Sequence, residues 1–398
     1  MDTLIYTTFM PHQRKRHALE HIRKLGSFWP VIGLLGLRQV GKTTLFRDIL
    51  GLKNFVSFDD EEAYEDAKQS SKNFILRLNP PVIIDEAQKV ASIFDAIKFK
   101  VDQKKIPGQY YLTGSSAFSA KAGIRESLTG RIGILKLFPF TLSETHQMPL
   151  EKKRCALFHS EKPRFKMDAI LKNISSGGLP VPLFSRDAQQ RKLYFQSWLD
   201  TTILRDVARI YGKGYNPDTS WSILRQMTTL LKNGEWINLR AFKQNSRTVR
   251  KYLSAFEAIF LIQKIPCHEA GVGEDLWIFS DSGIAEYLLQ SNIGQGIHLS
   301  LGKIFIFKEI LANLEYAGKS YHPLYYKSTH GTPVDLIGEN VAIKITIETK
   351  NGLSYEERSL AGAMKKLNLP YGLLVAPIET LNVPLKKGIN LVPWSFWS

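Results

Sequence analysis

The hydrophobic pattern of the first 150 residues repeats one unit three times. Val31 to Leu35 (VIGLL) is an apolar, strand-prone run that leads into a glycine-bounded loop. Thr44 to Leu50 then predicts a helix, with Leu45, Ile49 and Leu50 apolar. Val82-Ile83-Ile84 ends in Asp85-Glu86, and Gln109-Tyr110-Tyr111-Leu112 ends in Thr113-Gly114-Ser115-Ser116. Consecutive β-branched residues without polar alternation predict a strand buried on both faces, as in a parallel sheet. Strands alternating with helical segments predict an α/β fold.

The pattern changes after residue 150. Leu150 to Lys166 mixes charges with few apolar repeats and predicts a boundary. Arg191 to Tyr211 is helical by the spacing of Leu193, Phe195, Trp198, Leu199, Ile203, Leu204 and Val207. Residues 219–266 predict a winged helix. Trp221, Leu224, Met227, Leu230 and Leu231 mark its first helix, and Leu239 and Phe242 a short second one. Ser246 is placed to cap a third, with Val249, Tyr252, Leu253, Phe256, Ile259 and Phe260 on its buried face. Residues 302–398 return to helix and strand alternation, with a hairpin around Gly338-Glu339-Asn340. The expected organisation is a parallel-sheet domain over 1–150, a helical linker with a winged helix over 151–290, and a small α/β domain over 291–398.

The loop after the first strand carries the clearest chemistry. Gly36, Leu37, Arg38, Gln39, Val40, Gly41, Lys42 and Thr43 spell GxxxxGKT between a strand and a helix, and Thr44 follows. Glycines let the backbone wrap closely around phosphate oxygens, so that amides point inward. The helix start adds its positive dipole end. Lys42 is expected to reach the β- and γ-phosphates of ATP, and the Thr43 hydroxyl to ligate Mg²⁺. Asp85, at a strand tip, is expected to hold Mg²⁺, and Glu86 to orient and deprotonate the attacking water. Ser115 is a candidate sensor of the γ-phosphate. Arg131, or Arg125, is expected to neutralise transition-state charge, in this subunit or a neighbour. The run Asp59-Asp60-Glu61-Glu62 suits a helix N-terminus better than a metal site. His17 and His21 share a helix face but lack a third zinc ligand, and read as surface residues.

Charge adds a candidate partner. The net charge is +16, and Thr219 to Pro266 holds eight Lys/Arg against two Glu. Such a cluster attracts polyanions, chiefly nucleic acid. Arg247, Arg250 and Lys251 lie near the amino end of the third helix, the end a recognition helix presents to DNA. Protein contacts or packing between domains are the other use of such a module. No apolar run approaches the roughly 18 residues of a membrane helix, so no membrane association is expected. Two cysteines, Cys155 and Cys267, match no disulfide framework or zinc spacing, which suggests a reducing, cytoplasmic setting.

GLRQVGKTTL, PVIIDEAQKV, LTGSSAF and SLTGR, in that order, resemble bacterial and archaeal AAA-type P-loop ATPases that carry a C-terminal domain of unknown function. GGLPVPLF, Leu204-Arg205-Asp206, TVRKYLSAFEAIFLIQKIP and IFSDSGIAEYLL fit the same family. The resemblance implies an ATPase core, a winged helix and a nuclease-like C-terminal domain. That last part resembles the PD-(D/E)xK core, with Asp335 as its first carboxylate. Lys344 and Thr346 stand where the family has Glu and Lys, so the expected domain keeps the fold and lacks the chemistry. The expected function is a Mg²⁺-dependent ATPase acting as a nucleotide-driven, DNA-associated switch, with an unknown protein as a possible further partner. An ATP-responsive DNA-binding regulator with negligible turnover is the alternative. A third reading is an active nuclease using Asp335, Glu309 and Glu348.

Overall fold

A computed structural model describes residues 14–118, 128–150, 165–232, 235–293, 301–319, 321–348, 352–379, 383–386 and 388–397. Arg125 and Cys155 lie outside them. The strands β1 (Val31–Leu35), β2 (Asn54–Ser57), β3 (Val82–Asp85), β4 (Tyr110–Gly114) and β5 (Ile132–Lys136) form one sheet in the order β2-β3-β4-β1-β5. Every pairing is parallel. β1 and β4 are buried along their whole length, as their uninterrupted apolar runs require. Because β4 lies between β1 and β3, the segments that follow these three strands sit side by side at the carboxyl edge. Open parallel sheets bind ligands at that edge. Asp60 caps the helix Glu61–Gln69 by accepting from the Ala63 amide at 2.9 Å, which accounts for the acidic run.

A long helical segment, Ala188–Thr201, continues through a π-helical stretch (Thr202–Val207) to Tyr211. The helix Pro217–Lys232 and the helix Ser246–Ala258 then pack beside a three-stranded antiparallel sheet. Its strands are β6 (Ile237–Asn238), β7 (Ile262–Ile265) and β8 (Leu276–Phe279), in the order β6-β8-β7. Asn245, not Ser246, caps the helix Ser246–Ala258: its side chain accepts from the Arg247 amide at 2.9 Å. Both residue types suit the position, and the turn before the helix decides between them.

The C-terminal sheet has six strands, β9 (Leu324–Tyr326), β10 (Val334–Ile337), β11 (Val341–Ile345), β12 (Tyr371–Ala376), β13 (Val383–Lys386) and β14 (Ile389–Pro393). Their order is β13-β14-β12-β11-β10-β9. β10 and β11 form the expected hairpin, with Leu336 opposite Ile343, so Asp335 stands opposite Lys344.

The helix Leu301–Tyr316 is apolar on nearly every side and is buried accordingly. It joins the N-terminal sheet to the rest. Glu309 accepts from the Leu142 amide at 3.1 Å, Glu315 from the Lys136 amide at 2.7 Å, and the Tyr316 hydroxyl from the Phe138 amide at 3.0 Å. One apolar core runs from Ala18 to Phe396. The helix Ser282–Ile293 crosses the boundary expected at residue 290. Among the described residues, no helix is long and apolar enough to cross a membrane.

Candidate functional site

The loop between β1 and the helix that begins at Lys42 starts tightly against the segment that follows β5. A Cβ at Gly36 would fall 2.3 Å from the Leu137 carbonyl oxygen, so only glycine fits there. Gly41 has φ of 100°, in the left-handed region, and serves as the helix cap. Gly36 to Gly41 therefore form the loop, and Lys42 to Thr44 open the helix, as the motif requires. Lys42 is buried, and its ammonium donates to the carbonyls of Gly36 at 2.9 Å and Leu37 at 2.8 Å. Burial lowers its pKa, while Glu86, Asp85 and Asp206 act in the opposite sense.

Asp85 gathers three hydroxyls. Thr43 donates to Oδ1 at 2.7 Å, Thr113 to Oδ1 at 2.5 Å, and Ser57 to Oδ2 at 3.3 Å. A carboxylate beside a threonine hydroxyl at a strand tip is a hard-oxygen donor set, which fits Mg²⁺. Glu86 follows with φ of 53°, a left-handed conformation uncommon for a non-glycine residue. This bend turns its carboxylate onto Ser115, which donates at 2.7 Å, and Gln88, which donates to the same Oε2. The Glu86 amide donates to Thr113 Oγ1 at 3.3 Å. Strained backbone at a ligand-facing edge is where function is most often stored. Ser115 thus sits beside the predicted base. Ser57 carries no signal in the sequence; Thr113 stands in the polar run after the third strand, and Gln88 in the DEAQ string.

The long helical segment covers the loop. Tyr194 donates to Gln39 Oε1 at 2.8 Å, Trp198 to the Arg38 carbonyl at 3.4 Å, and Arg38 lies 3.6 Å from Asp206. One turn beyond Asp206, Arg209 is exposed and lines a cavity of about 330 Å³ with Phe58, Asp59, Glu61, Tyr64 and Lys89. Phe58 and Asp59 follow β2, and Lys89 lies just past Glu86, so Arg209 faces the carboxyl edge.

Arg131 does not. The Val31 amide donates to its carbonyl, so it lies at the amino end of β5. That is roughly 16 Å along the strand from the edge carrying the loop. Its guanidinium grips Asp102 at 2.6 and 2.8 Å. The expectation that Arg131 serves this subunit's site is corrected: the motif gave its place in sequence but not the end of the strand.

Arg247 and Arg250 are exposed on the helix Ser246–Ala258. Lys251 is exposed as well, but its ammonium lies 3.7 Å from the centre of the Tyr211 ring. The connection between β7 and β8 is folded against β9, with His268 donating to the Tyr325 carbonyl at 2.7 Å and Val272 to that of Lys327 at 2.8 Å. In the C-terminal sheet, Asp335 is fully buried. Its Oδ2 accepts from the Ile345 amide at 2.5 Å, and Lys303 lies 3.8 Å from its Oδ1. Lys344 pairs with Glu356 at 3.1 Å. Glu309 faces Leu142 and Lys308, away from this cluster, which removes it from the nuclease reading. No group of three metal-ligating side chains occurs among the described residues. His17 and His21 bond to the carbonyls of Met148 and Glu315, both at 2.8 Å; they are contacts between segments, not free surface groups.

Residues 29–146 match the family model described as AAA domain. Uncharacterized proteins of Mycobacterium tuberculosis and Mycobacterium bovis are each 23% identical to this chain, over 95% of it and 83% of their own length. Similar solved structures include the Walker-type ATPase of Pyrococcus abyssi, at 14% identity and a TM-score of 0.44, over 69% of this chain and 95% of that one. Cdc6p of Pyrobaculum aerophilum is another, at 11% identity and a TM-score of 0.27, over 72% and 96%. The family match and the loop geometry agree on an AAA-type, P-loop NTPase fold for the N-terminal sheet.

Proposed function

We propose that the chain is a Mg²⁺-dependent ATPase whose nucleotide state is communicated to a DNA-contacting module. The observation that carries the enzymatic part is the Glu86 carboxylate. It is held by Ser115 and Gln88, one residue from an aspartate already bonded to the Thr43 hydroxyl. Lys42 and the amides of the loop bind the triphosphate, and Lys42 exchanges the Gly36 and Leu37 carbonyls for phosphate oxygens. Thr43 and Asp85 would hold Mg²⁺, which supplies charge neutralisation at the β- and γ-phosphates. Glu86 takes the proton of the attacking water, and Ser115 keeps its carboxylate aimed.

Arg209 is the arginine we assign to the developing charge, in place of Arg131. It stands at the correct edge of the sheet and on the helical segment that already reaches the phosphate loop. Arg209→Ala is expected to lower kcat at least about tenfold, and Arg131→Ala to leave it within about twofold. Phosphate release with Mg·ATP checks both. A large loss in Arg131→Ala alone would mean that it serves a neighbouring subunit.

We read Pro217 to Phe279 as a winged helix and the C-terminal sheet as a nuclease-like fold without its metal chemistry. The helix–strand order and the antiparallel β6-β8-β7 sheet support the first. The lysines beside Asp335 support the second. The exposed Arg247 and Arg250 favour DNA contact. The Ala117 amide, two residues past Ser115, donates to the Ala258 carbonyl at the far end of that helix at 2.8 Å, which offers a route from nucleotide to DNA. The double variant Arg247→Ala, Arg250→Ala is expected to weaken duplex binding and to flatten its logarithmic salt slope by about two. Fluorescence anisotropy over a salt series measures this; absence of wild-type binding at low salt would reject the DNA contact.

A further inference from the structure

Arg16 lies outside the phosphate-loop motif and outside every residue assigned above, yet it is bound to the loop. Its guanidinium is buried, with 5% of the residue exposed. Nη1 donates to the Val40 carbonyl at 3.0 Å, Nε to Glu144 Oε1 at 3.1 Å, and Nη2 to the Phe138 carbonyl at 2.5 Å and the Tyr316 hydroxyl at 3.3 Å. The plane stacks on the Phe140 ring at 4.1 Å. Glu144 is held in turn by the Thr141 and His17 amides, at 3.0 and 2.8 Å. A planar fork with every nitrogen engaged has one available orientation.

The consequence lies in the peptide between Val40 and Gly41. A trans peptide is planar, and its C=O and N–H point in opposite directions. A carbonyl drawn toward Arg16 therefore turns the Gly41 amide away from it. Gly41, at φ of 100°, is free to follow this orientation. The next residue is Lys42. Resting on the nucleotide reading proposed above, we infer that Arg16 is a positioning residue that fixes the Gly41 amide toward the bound phosphates. It acts through the backbone and does not touch nucleotide. The Tyr316 hydroxyl, at the end of the helix Leu301–Tyr316, backs the same fork, so the C-terminal part of the chain helps to set the loop.

Two variants of the full chain test this. Arg16→Met with Glu144→Gln removes the fork without leaving a buried carboxylate unpaired. Arg16→Lys keeps a cation for Glu144 but cannot also hold Val40 and Phe138 in a fixed plane. In both, the KM for Mg·ATP is expected to rise at least about tenfold while kcat at saturation falls less than about threefold, the pattern of a lost binding interaction. Inorganic tripolyphosphate, used as a competitor, is expected to weaken in parallel, because it probes the phosphate cradle alone. Arg16→Lys with wild-type KM and wild-type tripolyphosphate inhibition overturns the role of Arg16. A wild-type chain that does not bind Mg·ATP overturns the nucleotide reading itself, and this inference with it.

Discussion

Replacing Glu86 by Gln should leave ATP binding intact and lower turnover by about 10²–10⁴-fold, the usual contribution of a positioned base. The amide is nearly isosteric and can still accept from Ser115 on its oxygen. It cannot take a proton from water. The left-handed backbone at Glu86 belongs to the bend, so the side-chain change leaves it in place. The substitution thus separates binding from chemistry. Single-turnover phosphate release with calorimetric binding on the same preparation gives both numbers. Turnover close to wild type would remove Glu86 from the base role and direct attention to a neighbouring subunit.

Lys42→Ala should abolish measurable ATP affinity with little loss of fold. Lys42 is buried, and burial already lowers its pKa, so its charge is not a large source of stability. Its two hydrogen bonds go to the loop's own carbonyls, of Gly36 and Leu37. What disappears is the cation that would meet the β- and γ-phosphates. Mg·ATP titration should therefore show no saturable heat, while thermal unfolding stays close to wild type. Wild-type affinity would mean that the loop binds something else, or nothing.

The parts of the site that sequence revealed are those in which neighbours in the chain do the work. Gly36 to Thr44 is one loop and the helix start that follows it, and Asp85-Glu86 is one strand tip. Glycine geometry, a buried strand and a following helix are all local requirements. Ser57 and Thr113 are not legible because they reach Asp85 only after β2, β3 and β4 align, whereas Gln88 reaches Glu86 across two residues and depends on the bend at Glu86. Arg16 and Asp206 reach the loop from 24 and 168 residues away, and no periodicity marks them.

The place of Arg131 at the far end of this chain's sheet is illegible in sequence for a related reason. A strand has two ends some 13 Å apart, and a motif beside it does not say which end faces the ligand. The long helix shows the limit of apolar spacing: Leu193 and Leu204 are 59% and 60% exposed. That helix is buried along the face bearing Phe195, Trp198, Ile203, Asp206 and Val207; Trp198 and Asp206 meet the phosphate loop, and Phe195 and Tyr211 pack on Tyr287 and Tyr252 of later helices.

The most direct test is isothermal titration of the full-length chain with Mg·ATP, run beside Lys42→Ala under identical conditions. The wild type should give a saturable heat of binding and the variant none. A properly folded wild-type chain that gives no heat of binding would contradict the assignment of this edge of the sheet to a nucleoside triphosphate.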